Sequence, residues 1–411
     1  MQTATVQPKP KVNLDQQTTY RVLFAISFVH LLNDSIQSVI PAIFPILQES
    51  MNLTYFQLGM IGFALNMTAS IMQPFVGFYT DKRPSPFLLP MGMFFTFLGM
   101  LGLAFASNFY FVLLSVVLVG VGSAVFHPEG SRVVYLAAGQ RRGLAQSIFQ
   151  VGGNAGQALA PIMTVLIFVP LGQFGAIWFT FVAAMASIVL LFVARWAKER
   201  MHVFAPPKKS QAVRKVNPEK IKAVRIAMGL LLFFIFARSW YHASITNYYP
   251  FYLMQEYGLL VEEAQIYIFI FLAAGAVGTF MGGPLADRFG KKKIILFSML
   301  GSAPLTLILP YVSQEWAYAI FLINGFIILS SFSVTVVYAQ ELVPGKIGTV
   351  TGLTIGLAFG MGALGSLALG GLVDIFSLTP VMIAAGFLPL IGVVAYFLPS
   401  DQKLREWAEE A

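Results

Sequence analysis

The 411-residue chain is 57% hydrophobic and only 11% charged, with a mean hydropathy of +0.75, which points away from a soluble domain and towards a membrane protein. It has no cysteine, which excludes disulfide frameworks, thiolate chemistry and Cys-based metal sites. The formal charge of +8 is not a nucleic-acid signature here, because the basic residues sit in short connectors between apolar runs, where they face anionic lipid headgroups.

Residues 1–19 carry Pro8, Lys9, Pro10 and Lys11 and no apolar h-region, so no cleavable signal peptide is expected and the first span acts as its own insertion signal. A helix needs about 20 apolar residues to cross a bilayer. Such spans are predicted over about 20–48, 54–80, 87–106, 109–135, 142–169 and 174–196. A second set follows over about 222–252, 260–286, 292–311, 315–341, 347–372 and 377–398. Basic residues occupy every second connector: Lys82 and Arg83, Arg141 and Arg142, Lys198 to Arg225, Arg288 with Lys291 to Lys293, and Lys346. Lys9, Lys11, Lys403 and Arg405 mark the termini, whereas the other connectors hold only acids such as Glu49, Glu256, Glu262, Glu263, Glu315 and Asp374. The positive-inside rule therefore places both termini in the cytoplasm. The expected fold is an all-α polytopic membrane protein of twelve transmembrane helices. Its expected parts are an N-terminal tail (1–19), a six-helix bundle (20–196), a basic linker (197–221), a second six-helix bundle (222–398) and a C-terminal tail (399–411).

An internal repeat supports that division. Gly77 and Asp81 recur as Gly283 and Asp287, each 206 positions later, and Val133-Val134-Tyr135 recurs as Val336-Val337-Tyr338. Two equivalent halves are the mark of a transporter with its site between them.

Ionisable side chains inside an apolar span are costly and point to function. In the first span His30, Asp34 and Gln37 share one helical face, with Asn33 beside them. Asp34 lies near mid-span, where no solvent stabilises its charge, and is a candidate proton carrier or a buried acid held by helix-to-helix hydrogen bonds. The fourth span adds His127, Glu129 and Arg132. Glu129 is a second candidate proton site, His127 a titrating group or a partner for a backbone carbonyl freed by Pro128, and Arg132 a gate residue or a snorkelling side chain. Gln146, Gln150, Asn154 and Gln157 form an amide stripe on the fifth span, expected to line a wet cavity. On the seventh span Arg238 and His242 lie one turn apart with Thr246 and Tyr249 along the same face. Arg238 stays charged, so it requires either an anionic ligand or a permanent ion pair with Asp34 or Glu129. No phosphate loop or nucleophilic triad is present in the pattern, so the chain is not expected to be an enzyme, to hydrolyse ATP or to hold a cofactor. No metal is assigned, although His30, Asp34, His127 and Glu129 are the residues that would form such a site.

Gly283-x-x-x-Asp287-Arg288-x-Gly290-Lys291-Lys292 resembles the loop signature of the major facilitator superfamily, and Gly77 to Arg83 resembles its first-half copy. His30-Leu-Leu-Asn33-Asp34, Phe126 to Arg132 and Ala145 to Asn154 resemble the fosmidomycin resistance protein family. The resemblance covers essentially the whole chain and implies a bacterial inner-membrane exporter that exchanges drug for protons by alternating access. It implies a small-molecule substrate, protons and the bilayer as partners, a monomer, and a gating role for Asp81, Arg83, Asp287, Arg288 and Arg132. On this basis proton coupling is expected at Asp34, Glu129, His127 and His30. Substrate contact is expected at Arg238, His242, Asn33, Gln37, Gln150, Asn154, Gln157 and Tyr249. Two features depart from the superfamily pattern: the first-half loop continues Arg83-Pro84-Ser85-Pro86, and the fourth span lacks a mid-membrane arginine. A symporter importing a small organic anion or a sugar shares the fold and is the alternative.

Overall fold

A computed structural model describes residues 18–83, 85–139, 142–200, 218–343 and 347–409. Residues 1–17 of the tail and 201–217 of the linker lie outside the described residues, as do Arg141 and Lys346. Helices follow one another without a strand among the described residues: α1 (Tyr20–Ala42), α2 (Phe44–Met51), α3 (Tyr55–Lys82), α4 (Leu88–Ala104), α5 (Phe109–Ala137), α6 (Arg142–Met163), α7 (Val169–Leu171) and α8 (Ala176–Arg200). After the linker come α9 (Pro218–Ala243), α10 (Tyr249–Tyr257), α11 (Val261–Phe289), α12 (Lys291–Leu300), α13 (Ala303–Ile308), α14 (Gln314–Leu329), α15 (Phe332–Leu342), α16 (Ile347–Phe376), α17 (Leu378–Ala385) and α18 (Asp401–Glu409).

Nine stretches among the described residues are long and apolar enough to cross a membrane, and one of them, Ile148–Arg200, runs through both the fifth and sixth predicted spans. The third predicted span is the shorter apolar helix Leu88–Ala104. The seventh, α9 with α10, falls outside this set and carries Arg238, His242, Asn247 and several tyrosines. Phe75, Tyr110, Leu166 and Ile375 are exposed by 69%, 78%, 70% and 73%, a distribution that suits a lipid-facing surface.

Several predicted spans are broken, and each break has a local cause. The first divides at Ile43, where Pro45 at the start of α2 has no N–H to give the Pro41 carbonyl, and Asn52 ends α2 with a left-handed φ of 53°. A capping box starts α3: Gln57 N donates to Thr54 Oγ1 at 3.2 Å and Thr54 N donates to Gln57 Oε1 at 2.9 Å. Two π-helical turns, Thr164–Phe168 and Ser244–Tyr248, each precede a proline by two residues, Pro170 and Pro250. Each proline leaves the carbonyl four residues earlier without its N–H partner, and the helix widens there. The stretch expected as a C-terminal tail contains α18, whose Leu404 is buried.

Helices α1, α3, α4, α5, α6 and α8 pack against one another, and α9, α11, α12, α14, α15 and α16 pack among themselves and against the closing 3₁₀ segment Leu388–Phe397. The principal joints between these groups are α3 against α16 and α6 against α11. At the end carrying the acidic connectors the joint is hydrogen-bonded shut. Tyr55 N and Phe56 N, the first N–H groups of α3, donate to the Asp374 carboxylate on α16 at 3.0 and 2.8 Å. Gln265 on α11 donates to the carbonyl of Ala42 at 3.0 Å, and the Tyr55 ring meets Phe251 edge-on at 5.1 Å.

Candidate functional site

Asp34 is the centre of a buried polar cluster in the first group of helices. On α1, His30 lies one turn before it, with Nε2 3.4 Å from Asp34 Oδ2. From α5, His127 places its Nε2 3.5 Å from Asp34 Oδ1. Three amides complete the shell: Asn33 Nδ2 donates to Oδ1 at 3.0 Å, Gln37 Nε2 to the same oxygen at 3.4 Å, and Gln157 Nε2 from α6 to Oδ2 at 3.2 Å. Helical spacing explains the local contacts, since residues 30, 34 and 37 stack on one face.

The tautomers follow from the partners. His30 Nδ1 is 2.8 Å from the Phe149 carbonyl and His127 Nδ1 is 3.0 Å from the Ser123 carbonyl. A carbonyl oxygen only accepts, so each Nδ1 carries hydrogen and each Nε2 is the atom turned to the carboxylate. Two neutral imidazoles would then face Asp34 with lone pairs against lone pairs. The arrangement is favourable only with protons in the gaps, on the imidazoles or on the carboxyl. Ser123 is the residue four before His127, while Pro128 frees the carbonyl of Ala124, so His127 does not use the carbonyl expected from the proline.

Glycine makes room for this cluster. A Cβ at Gly153 of α6 would lie 2.6 Å from His30 Nε2 and 2.9 Å from Asp34 Oδ2. His30 stacks on Phe149 with ring centroids 4.0 Å apart, and His127 stands edge-on to His30 at 5.3 Å. The His127 ring also approaches Phe359 of α16, 6.1 Å between centroids, so the cluster borders the joint between the helix groups.

Donor atoms of His30, Asp34 and His127 all lie within 4.8 Å of one another, a spacing at which they are the residues able to hold a metal ion. Glu129, which the sequence offered beside these three although no metal was assigned, is not part of that group. Its Oε1 is 3.2 Å from Arg132 Nε, and Arg132 also donates to Thr80 Oγ1 on α3 at 3.0 Å. Arg132 is therefore a half-buried tie between two helices rather than a side chain reaching for the surface.

In the second group of helices Arg238 is 3% exposed and has a different environment. Its NH1 donates to Ser331 Oγ at 3.1 Å, with Thr335 Oγ1 at 3.5 Å, and Ser298 Oγ donates to Ser331 at 2.8 Å. Phe332 and Phe234 lie 5.1 and 5.8 Å from the guanidinium carbon. Among the described residues Arg238 makes no ion pair, so the pairing with Asp34 or Glu129 that the sequence allowed does not occur: Asp34 is taken by two histidines and Glu129 by Arg132. A break of α14 and α15 at Ser330-Ser331 carries the hydroxyls to Arg238.

The remaining expected site residues divide. Half-buried His242 lies one turn beyond Arg238, with its ring 6.0 Å from Phe271. Tyr249 is buried between Tyr252 and Phe321, with ring centroids at 4.9 and 5.3 Å. Gln150 Nε2 donates to Asn154 Oδ1 at 3.2 Å within α6. The Asp81 and Gln146 side chains lie outside the described residues, whereas Arg83, Asp287 and Arg288 are exposed. Sequence reasoning missed Ser298, Ser331 and Thr335; the only local signal was a Ser-Ser pair inside an apolar run.

The family sequence model described as Major Facilitator Superfamily matches residues 23–362. The chain belongs to this superfamily. It is 47% identical over 403 residues to the fosmidomycin resistance protein of Escherichia coli (strain K12), covering 96% of this chain and 98% of that protein. It is 58% identical over 390 residues to an uncharacterized MFS-type transporter of Bacillus subtilis (strain 168), covering 95% of each. Among solved structures, an inward-facing, unoccupied bacterial homolog of the human lysosomal transporter Spinster superposes with a TM-score of 0.71 at 18% identity, covering 95% of both chains. The nucleoside transporter NupG gives 0.69 at 14% identity, covering 94% of this chain and 99% of that one. These superfamily members are transporters, and so is this chain: a multi-pass membrane protein that moves small molecules across a bilayer, not an enzyme.

Proposed function

We propose that this transporter is a proton-coupled antiporter that exports small anionic compounds of the fosmidomycin type by alternating access. The observation that carries the proposal is Arg238, a buried guanidinium supplied, among the described residues, with hydroxyls and aromatic faces and no acid. A phosphonate or carboxylate is the missing counter-charge, and the guanidinium fork binds such groups through two parallel hydrogen bonds. The names of three relatives agree: fosmidomycin, a phosphonate, for one at 47% identity, and sulfoacetate and cis,cis-muconate for relatives at 24% and 23%.

Protons are assigned to the His30, Asp34 and His127 cluster, because its facing acceptors require them. Loss of protons leaves a net negative cluster beside the joint with α16, and gain of protons reverses that sign; substrate charge and proton charge thus compete for one cavity. Gln150, Asn154, Gln157, His242 and Tyr249 are proposed to shape the substrate cavity. Glu129, beside Arg132, is proposed as a further proton site, and Arg132 to serve the gate together with Asp81, Arg83, Asp287 and Arg288. With the acidic-connector end sealed through Asp374, the conformation is assigned as open towards the end that bears the basic connectors, and both termini are assigned to the cytoplasm of a bacterial cell. The monomer and the two six-helix bundles belong to the same proposal.

The test is lumenal pH in proteoliposomes that trap a pH dye, with fosmidomycin added outside and no imposed gradient. Alkalinisation means that inward drug movement drives protons out. Acidification would establish symport and overturn export, and an unchanged signal would remove the substrate assignment.

A further inference from the structure

A second polar site lies outside the transport cavity, at the end of the molecule that carries the basic connectors. A groove of about 490 Å³ opens there between α9, the N-terminus of α12, the close of the 3₁₀ segment Leu388–Phe397, and α18. Its walls divide by chemistry. Ile226, Tyr396 and Phe397 are 55%, 65% and 68% exposed and continue the apolar outer surface. Lys292 and Lys403 stand at the polar lip, with their ammonium nitrogens 5.5 Å from the Tyr396 ring and 5.7 Å from the Trp407 ring.

Neither lysine makes an ion pair among the described residues, and the acids nearby are already engaged. Asp401 accepts from Lys291 N at 2.9 Å and Lys292 N at 3.3 Å, and its Oδ1 is 3.8 Å from Lys291 Nζ. Glu341 is 3.0 Å from Lys291 Nζ, and Glu406 accepts from Gln402. The groove is held in shape by Tyr338 Oη, which donates to the Pro399 carbonyl at 2.6 Å, and by Lys220 Nζ, which donates to the Trp407 carbonyl at 2.6 Å. Leu404, 2% exposed, docks α18 against the bundle.

We propose that this groove binds one phospholipid with a net negative headgroup, its phosphate between Lys292 and Lys403 and an acyl chain along Ile226, Tyr396 and Phe397. Two uncompensated ammonium groups above a lipid-facing apolar wall match the charge and the shape of such a lipid. A zwitterionic headgroup brings its own cation to the same two lysines and is disfavoured. Each basic side chain near an anionic surface adds roughly a fivefold preference, so the pair gives on the order of thirtyfold.

Native mass spectrometry on the detergent-purified full chain tests the site, with phosphatidylglycerol and phosphatidylcholine of equal acyl length as probes. The first lipid adduct is expected to favour phosphatidylglycerol by about tenfold or more. Lys292→Gln with Lys403→Gln should erase that preference, while Lys293→Gln, an exposed neighbour outside the groove, should keep it. Either single glutamine variant reports the same direction if the double variant does not fold. Equal adducts of both lipids on the parent chain, or an undiminished preference in the double variant, would overturn the proposal. Tight binding of glycerol 1-phosphate alone would assign the lysines to a soluble phosphate ligand and overturn the lipid.

Discussion

Asp34 and Arg238 are both buried charges in long helices, one in each half of the chain, yet their surroundings are opposites. Asp34 is enclosed by two imidazoles and three amides that answer its charge from within the protein. Among the described residues Arg238 has two hydroxyls and two phenyl faces and no acid. A buried charge without a protein partner is several kcal/mol unfavourable, so its retention asks for a partner that comes and goes. In the proposed function this contrast divides the work: the half with Asp34 is assigned the exchangeable protons and the half with Arg238 the exchanged anion.

The largest expected effect breaks the anion side. Arg238→Met should abolish transport of phosphonate or carboxylate substrates, with binding weakened by at least about tenfold, the value of one charge-assisted hydrogen bond. Because no acid is orphaned, its melting temperature should stay within about 2 °C of the parent or rise. A large drop would reveal a hidden counter-ion and end the contrast. Next comes Asp34→Asn, which should uncouple proton movement from substrate while leaving anion binding within about threefold. Full pH-dependent transport by this variant would remove Asp34 from the proton path.

A sharper probe of the cluster is Gly153→Ala. Its added methyl group would collide with His30 and Asp34, and the repacking should cost about 1–3 kcal/mol in denaturant unfolding and slow proton exchange. No change in either would show that the cluster is loosely held. The smallest effect is expected at Asp374→Asn, which weakens the cap on α3 by about 0.5–1 kcal/mol and shifts the resting population away from the seal. The chain has no cysteine, so a single introduced thiol near Tyr55 reports that opening by its labelling rate.

Much of the fold is legible in the sequence because the bilayer demands it. Apolar runs of spanning length and alternate basic connectors are properties of the chain order alone, and family membership followed from the loop signature. The face shared by His30, Asp34 and Gln37 follows from helical periodicity, and the structure has it. Periodicity stops at the surface of its own helix. It did not tell that His127 from α5 and Gln157 from α6 converge on Asp34, or that Arg238 meets hydroxyls instead of an acid.

The sequence by itself determined that this is a membrane-spanning helical protein, which of its residues are ionisable inside the apolar runs, and that its two halves are related. Tertiary structure alone decided which of those charges are answered and which are left open. Helix packing brings together atoms more than ninety positions apart, such as Asp34 with His127 and Arg238 with Ser331. A charge is stabilised by what lies within a few ångströms of it, and that neighbourhood is set by how the helices cross.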